Sequence, residues 1–314
     1  MKGKKILITG GAGFLGSNLT EMLIGDNNIV CLDNVSTGNM DNVRDFLQNK
    51  NYTLIRGSIM NMDDLKKAMD GVDVVFHYAA VVGVKKTLEE PLNVLNVNLN
   101  GTRNVLEAAL KSGVKKVVNL SSSEVYGEPI EVPEKEDGVL NARLPYAVTK
   151  LATELYAKAY FSEHGLKTVS VRPFNVYGPR QVSSAYGFVV GIFIEQTLLG
   201  KPITVFGDGS QTRDFTFVKD NLAATVLAAE KIDDGSVTNV GTGKQTTVRE
   251  LAEMIVRLTN SKSKISFVPE RKLDIVHRCA DITRMKALLG FTPRYSLEQG
   301  LKETIDWYNS RFKS

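Results

Sequence analysis

The segment TGGAGFLGSNL, residues 9–19, constrains this chain more than any other, because Gly10, Gly13 and Gly16 recur at every third position directly after an apolar run. That run, KKILITG (4–10), reads as a buried strand, and the stretch from about 14 to 24 reads as a helix. Glycines between a strand and a helix permit a tight turn and let the backbone approach a ligand closely. At the helix N-terminus, free N–H groups and the helix dipole favour a pyrophosphate. Such spacing also occurs as plain structural punctuation, so the surrounding sequence has to carry the assignment.

NIVCLDN (28–34) is a second strand, ending in Asp33 seventeen residues after Gly16. A carboxylate there accepts hydrogen bonds from both ribose hydroxyls and repels a 2′-phosphate, which predicts NAD rather than NADP. The competing role for Asp33 is a turn residue before Asn34. Strand-like runs follow at 52–57, 73–80, 115–122 and 167–174, separated by helical patterns such as 96–113 and 146–165. Continuous apolar strands alternating with helices predict an α/β fold, a parallel sheet covered on both faces. After Arg172 the rhythm loosens into polar, loop-rich segments. The predicted division is 1–172 for the dinucleotide-binding domain, with a return near 212–245, and 173–314 mainly for a smaller substrate domain.

Bulk properties narrow the function classes. The net charge of +4 is spread along 314 residues without a basic arm, which argues against nucleic acid as a partner. No apolar run reaches the ~18 residues a membrane span needs, and the basic start leads only into ILI before glycine interrupts it. Cys31 and Cys279 stand far apart without metal-ligand spacing, as expected of reduced packing cysteines in a cytoplasmic protein with no metal site.

PYAVTK places Tyr146 and Lys150 four residues apart at the start of a helix, on one face. A phenol titrates near 10 and is a poor base at neutral pH, but a neighbouring ammonium and a nicotinamide cation both favour the phenolate. Tyr146 could then take a proton from a sugar hydroxyl while hydride leaves the same carbon, with a serine after the strand 115–122 sharing the hydrogen bond. Tyr–Lys pairs at this spacing also arise by chance.

At this point a family resemblance is evident. TGGAGFLGSNL, DNVSTGN, FHYAA, NVNLNGT, SSSEVYG, PYAVTK, RPFNVYGPRQ, FGDGSQTRDF and NVGTGK occur in order from residue 9 to about 244, and RKLDIVHRCADITRMKALLGF continues the match. The chain resembles the extended short-chain dehydrogenase/reductases, in the NAD-dependent nucleotide-sugar epimerase/dehydratase family, and is UDP-glucose 4-epimerase-like. The resemblance implies a Rossmann-type doubly wound parallel sheet with a smaller, mixed α/β domain for a nucleotide-sugar, and a homodimer. It places the glycine turn with Phe14 and Leu15, then Asp33 and Asn34, on the adenosine half of NAD. The loop residues Ser36, Thr37 and Gly38 belong to the same implied site, as do Ser58 and Ile59. Ala79, Ala80, Val82, Asn98 and Pro173 would line the rest of the cofactor, with Tyr146 at the nicotinamide and Lys150 on its ribose. Related sequences often carry Asp where this chain has Ser58, which implies rearranged adenine contacts.

Ser122 aligns with the family's catalytic hydroxyl. Asn175 and Val190 would touch the sugar nucleotide, and Thr204, Val205 and Phe206 would pack on its base. Arg213 and Arg271 would clamp the diphosphate, a role suited to guanidinium, with Asp274 beside them. The bland alternative for each arginine is a surface ion pair, with Asp214 or Asp274.

Glu124 separates two chemistries. Oxidation at hexose C4 followed by hydride return to the other face, a 4-epimerase, needs only Ser122, Tyr146 and room to turn. A 4,6-dehydratase must also move protons at C5 and the C6 oxygen, which requires a further acid/base such as Glu124. The same Ser-x-Glu-Val-Tyr-Gly spacing occurs in UDP-glucuronate decarboxylases. Against a dehydratase stand Ser123 in place of Asp, the short span from Tyr126 to Tyr146, and VVGVKKTLEEP, whose Lys85 or Lys86 could meet an acidic sugar. The balance favours a UDP-hexose 4-epimerase, with the dehydratase or decarboxylase-like enzyme as the alternative and an ordering role in the loop as the bland reading of Glu124. An NAD sensor without turnover is disfavoured by the intact Ser122, Tyr146 and Lys150. Cofactor released from the denatured protein is expected to be NAD by mass spectrometry; NADP would remove the argument from Asp33.

Overall fold

The computed structural model describes residues 1–182, 188–270 and 275–312. The chain divides into two compact units. The first comprises Met1–Val125, Ala142–Arg172 and Leu222–Thr238; the second comprises Tyr126–Asn141, Pro173–Asn221 and Asn239–Ser314.

The elements of the first stretch are β1 (Lys5–Thr9), α1 (Phe14–Leu23), β2 (Asn28–Asp33), β3 (Tyr52–Arg56), α2 (Met62–Ala68) and β4 (Val74–His77). They continue with α3 (Val84–Glu89), α4 (Pro91–Lys111), β5 (Lys116–Leu120), α5 (Pro145–His164) and β6 (Thr168–Pro173). Then come β7 (Val176–Tyr177), α6 (Val189–Leu198), β8 (Ile203–Phe206), β9 (Thr212–Arg213), β10 (Thr216–Phe217), α7 (Val218–Lys231) and β11 (Asp234–Val240). The chain closes with β12 (Thr246–Thr247), α8 (Val248–Leu258), β13 (Ile265–Val268), α9 (Thr283–Leu289) and α10 (Leu297–Phe312).

The first unit is a Rossmann-type α/β fold. Its seven-stranded sheet runs β11-β6-β5-β4-β1-β2-β3, and neighbours from β3 to β6 pair in parallel. β1, β2, β4 and β5 are mostly apolar and almost wholly buried because helices flank the sheet, whereas the outer strands β3 and β11 are partly exposed. β4 and β5 are buried at every position. Leu7, Val30, Val75 and Val117 from the sheet pack with Val105, Leu106 and Ala109 of α4 and Leu65 of α2 in one core. The helical pattern predicts a start near 96, yet α4 begins at Pro91, whose fixed φ and missing N–H suit a first turn. α5 stops at Gly165, which adopts the left-handed conformation at φ 69° and closes the helix.

In the second unit β8 pairs in parallel with β13, and β9 pairs antiparallel with β12 so that Arg213 stands opposite Thr246. α8 opens with a capping box in which Thr247 and Glu250 satisfy each other's backbone N–H groups. Cys31 and Cys279 are free and buried. Among the described residues no helix is long and apolar enough to cross a membrane.

The turn after β1 is as tight as the glycines require. A Cβ on Gly16 would lie 2.4 Å from the Gly10 carbonyl oxygen, and one on Gly10 would lie 2.8 Å from the Ala79 backbone nitrogen. Because backbone, not a flexible side chain, is in the way, Gly16→Ala is expected to lower stability by about 1–3 kcal/mol, read as a reduced midpoint in urea unfolding.

Candidate active site

Gly13 caps α1 without a side-chain hydrogen bond, which leaves the first N–H groups of that helix open to an anion. Asp33 ends β2, and both its carboxylate oxygens accept from backbone: Ala12 N–H at 2.9 Å and Val35 N–H at 2.7 Å. The second of these holds Val35 at φ 57°, a region β-branched residues rarely adopt. Asp33 is thereby fixed in orientation while its remaining lone pairs can take two ribose hydroxyls.

Asn34, exposed, accepts from Ser36 N–H at 3.1 Å, and Thr37 is exposed beside it. The same loop folds back on the glycine turn: Asn39 N–H and the Asn42 side chain both donate to the Ala12 carbonyl at 3.1 Å. Gly38 sits so close that a Cβ would lie 3.1 Å from Ala12. Ser58 N–H donates to the Asp64 carboxylate at 2.9 Å, and its hydroxyl accepts from Met60 N–H at 3.2 Å. Asp64 was not visible as a site residue in the sequence, although its carboxylate packs so closely on Gly57 that a Cβ there would lie 2.7 Å from it. Ile59 is buried against Gly101.

Ala79 and Ala80 follow β4, half-buried. Asn98, buried on α4, clamps the backbone of Val81 from both sides, accepting from its N–H at 2.7 Å and donating to its carbonyl at 3.1 Å. Asn98 therefore shapes the strand-to-helix loop that carries Ala79, Ala80 and Val82. Beneath that loop lies buried His77, between Thr9 at 2.8 Å and Thr102 at 2.9 Å. The Thr102 hydroxyl donates to the Asn98 carbonyl at 2.7 Å, so the network assigns the proton to His77 Nε2 and leaves Nδ1 to accept from Thr9. Burial, then the charge of Lys150, push His77 down to about 3, which keeps it neutral. An uncapped helix start, a Cβ-free turn and an anchored carboxylate fit a dinucleotide.

The candidate reacting groups converge after β5. Ser122 lies two residues after that strand, Glu124 lies in the 3-10 turn Ser123–Tyr126, and Tyr146 and Lys150 occupy the first turns of α5. The Ser122 side chain neighbours the Tyr146 phenol and favours its ionised form. Lys150 Nζ lies 5.7 Å from the centroid of the Tyr146 ring and donates to the Leu120 carbonyl at 2.5 Å. Glu124 N–H donates to Ser122 Oγ at 3.2 Å. Burial holds the Tyr146 phenol well above its ordinary range; the Glu124 charge adds to this, and the Ser122 hydroxyl opposes it. Lys150 is pushed down to about 8 by burial, with Glu154 acting in the other direction.

Glu154, one turn beyond Lys150, is another residue the sequence reading passed over. It forms a two-point pair with Arg172 at 2.8 and 2.7 Å and also accepts from Ser121. Its i+4 spacing from Lys150 was the available signal.

In the second unit Asn175 adopts φ 29°, and its side-chain nitrogen is buried without a hydrogen-bond partner among the described residues. Pro173 ends β6, Val190 is buried in α6, and Thr204, Val205 and Phe206 form most of β8. Arg213 is half-buried on β9. Asp214, considered as its surface partner, is itself buried and accepts from Thr242, Gly243 and Ala280 backbone N–H groups. Arg271 and Asp274 lie outside the described residues, as do the side chains of Lys85 and Lys86. Among the described residues no cluster of three or more His, Cys, Asp or Glu side chains could hold a metal.

Comparison with known proteins extends this description. The family model for the NAD dependent epimerase/dehydratase family matches residues 6–241. A UDP-N-acetyl-alpha-D-glucosaminuronate decarboxylase of Bacillus cytotoxicus is 39% identical, across 97% of this chain and 98% of that protein. A UDP-glucose 4-epimerase of Mycolicibacterium smegmatis is 36% identical, across 98% and 99% of the two. Among solved structures, a UDP-N-acetylglucosamine 4-epimerase from Methanobrevibacter ruminantium M1 in complex with UDP-N-acetylmuramic acid superposes with a TM-score of 0.93 at 38% identity, covering 99% of this chain and 100% of that one.

Tyr146→Phe is expected to keep its NAD and to lose about 10²–10⁴-fold in kcat, by steady-state kinetics. An unchanged kcat would remove Tyr146 from the chemistry. Glu124→Gln deletes a charge that raises the phenol's pKa, so the acid limb of the kcat profile should move to lower pH.

Proposed function

We propose that this chain, which belongs to the NAD dependent epimerase/dehydratase family, is a UDP-hexose 4-epimerase. The observation that carries this reading is the Tyr146 phenol beside Ser122 with the Lys150 ammonium set over its ring, Nζ lying 5.7 Å from the centroid. NAD, when bound, supplies the acceptor for the C4 hydride and returns it. Tyr146 takes the proton from the C4 hydroxyl, and Ser122 holds the oxygen as it becomes a carbonyl. Lys150 favours the phenolate by its charge. The 4-keto sugar would then present its other face for the returned hydride, and Tyr146 would give the proton back to the oxygen. No residue has to act at C5, so Ser122, Tyr146 and Lys150 suffice. In this reading the glycine turn and Asp33 hold the cofactor, and Asn175, Val190, Thr204, Val205, Phe206 and Arg213 hold the UDP-sugar. The epimerase relatives act on UDP-glucose and UDP-N-acetylglucosamine by name, which supports a UDP-hexose.

A second reading is favoured by one observation: the Glu124 carboxylate acts electrostatically on Tyr146. A carboxylate so placed could remove the C5 proton, as a dehydratase needs. A uronic acid oxidised at C4 becomes a β-keto acid, whose C5–C6 bond can break with the electron pair delocalised into the C4 carbonyl and carbon dioxide released. The decarboxylase relative keeps that outcome in view.

The test is incubation of the NAD-loaded protein with UDP-hexoses and UDP-uronic acids in heavy water, followed by mass spectrometry and NMR. Unchanged mass with inverted C4 and no solvent deuterium is expected. Loss of water with deuterium incorporated, or release of carbon dioxide, would replace the epimerase reading with a lyase.

A further inference from the structure

Beneath the candidate reacting groups lies a buried charge pair that the proposed chemistry does not use. Arg172, at the end of β6, meets Glu154 of α5 through Nε and Nη2 at 2.8 and 2.7 Å. Both are almost fully enclosed, at 2% and 4% exposure. Ser121, at 1% exposure, donates its hydroxyl to the same Glu154 oxygen that Arg172 Nε contacts. Three elements are thus tied at one carboxylate: the residue after β5, the third turn of α5 and the end of β6. A layer below, Asn119 donates to Ser170 at 3.1 Å, linking β5 and β6 again.

A buried ion pair is poor evidence for stability, because apolar residues of like volume often serve as well, while one partner alone is strongly destabilising. Its location is more informative. Ser121 is the immediate neighbour of Ser122, and its N–H is held by the Val171 carbonyl at 2.8 Å. Lys150, one helical turn before Glu154, donates to Leu120, the residue before Ser121. Ser122 and Lys150 are therefore each one step from a group bound to Glu154 or to the strand end that it anchors.

We propose that Glu154 is a positioning residue: clamped by Arg172 and accepting from Ser121, it fixes the Ser122 hydroxyl and the Lys150 ammonium relative to each other and supplies the anion that balances Lys150. This rests on the reading that Ser122, Tyr146 and Lys150 carry the reaction. The titratable and charged groups around the Tyr146–Lys150 pair are Glu154 on α5, Glu124 after β5, neutral His77 on β4 and, through Glu154, Arg172 on β6. Glu154 is the anion that acts on Lys150 directly. Its removal disfavours the ammonium and leaves the guanidinium uncompensated, and both effects have the same sign.

The test combines kinetics with an NMR titration of NAD-loaded protein carrying ¹³Cε-labelled lysine, the Lys150 resonance being assigned with Lys150→Met. In Glu154→Gln the Lys150 midpoint is expected to fall by about one pH unit. Its kcat should fall by about 10- to 100-fold, with KM nearly unchanged. A folded Glu154→Gln protein in which either the midpoint or kcat stays at the wild-type value overturns the proposal. Should that variant fail to fold, the paired change Glu154→Met with Arg172→Met removes both charges at similar volume, and Ser121→Ala removes one hydrogen bond with the ion pair intact. Each is expected to lower kcat without raising KM; wild-type kcat in either overturns the positioning role. If no UDP-sugar is turned over even by the wild type, the proposed reaction falls, while the Lys150 midpoint in Glu154→Gln still decides this inference.

Discussion

Parallel pairing is the constraint on which the first unit depends. Strands that all run the same way end at the same edge, so the residues that close β1, β2, β4, β5 and β6 meet there. Those residues open into the glycine turn, Asp33, the loop of Ala79 and Ala80, the Ser121–Ser122 pair and Arg172. None of them is near the others in the chain. Their convergence follows from apolar strands that must be buried on both faces and therefore cannot be joined by short hairpins. The connecting helices then deliver the remaining groups, with Tyr146, Lys150 and Glu154 projecting from one side of α5.

Convergence in a buried place creates an electrostatic problem, and the molecule solves it in three different ways. His77 is kept neutral between two hydroxyls, so no charge has to be enclosed. Lys150 is drawn down towards neutrality but steadied by Glu154 and by the Leu120 carbonyl. Glu154 and Arg172 are enclosed as a pair with two hydrogen bonds, and loss of either partner would cost about 3–5 kcal/mol. Tyr146 is the group left unbalanced: burial and Glu124 both favour its neutral phenol. In the proposed reading, a nicotinamide cation bound beside it would lower the cost of the phenolate. The proposed base would thus be weak until the cofactor is bound.

The second unit shows the same economy in a different form. Asp214 is buried and surrounded by backbone donors from Thr242, Gly243 and Ala280, so it orders a loop junction. Asn175 is held at positive φ with its side-chain nitrogen enclosed, a conformation that asparagine tolerates better than most residues. Such strain together with an unmatched donor among the described residues is what a ligand contact would resolve.

Much of this was legible from residues in order. The glycine spacing, Asp33 at the end of a strand, and Tyr146 and Lys150 at helical spacing are local patterns, each with a bland alternative that only their occurrence together in one chain disfavours. The alternation of apolar strands and helices determined a parallel sheet, because an enclosed strand has no other way to satisfy both its faces. Other features were beyond reach. Nothing in the string connects Ser121 to Glu154 and Arg172, or Thr9 to His77 and Thr102, since each set joins three separate elements. The carboxylate of Asp64 at Ser58 N–H depends on how closely α2 approaches Gly57. The protonation preferences of Tyr146, Lys150 and His77 depend on burial, and burial is a property of what the rest of the chain puts around a side chain. Sequence alone therefore determined which chemical groups this protein carries and the kind of sheet that gathers them. The tertiary structure decided which of those groups are enclosed, paired and neutral, because desolvation acts on a side chain only once its neighbours are in place.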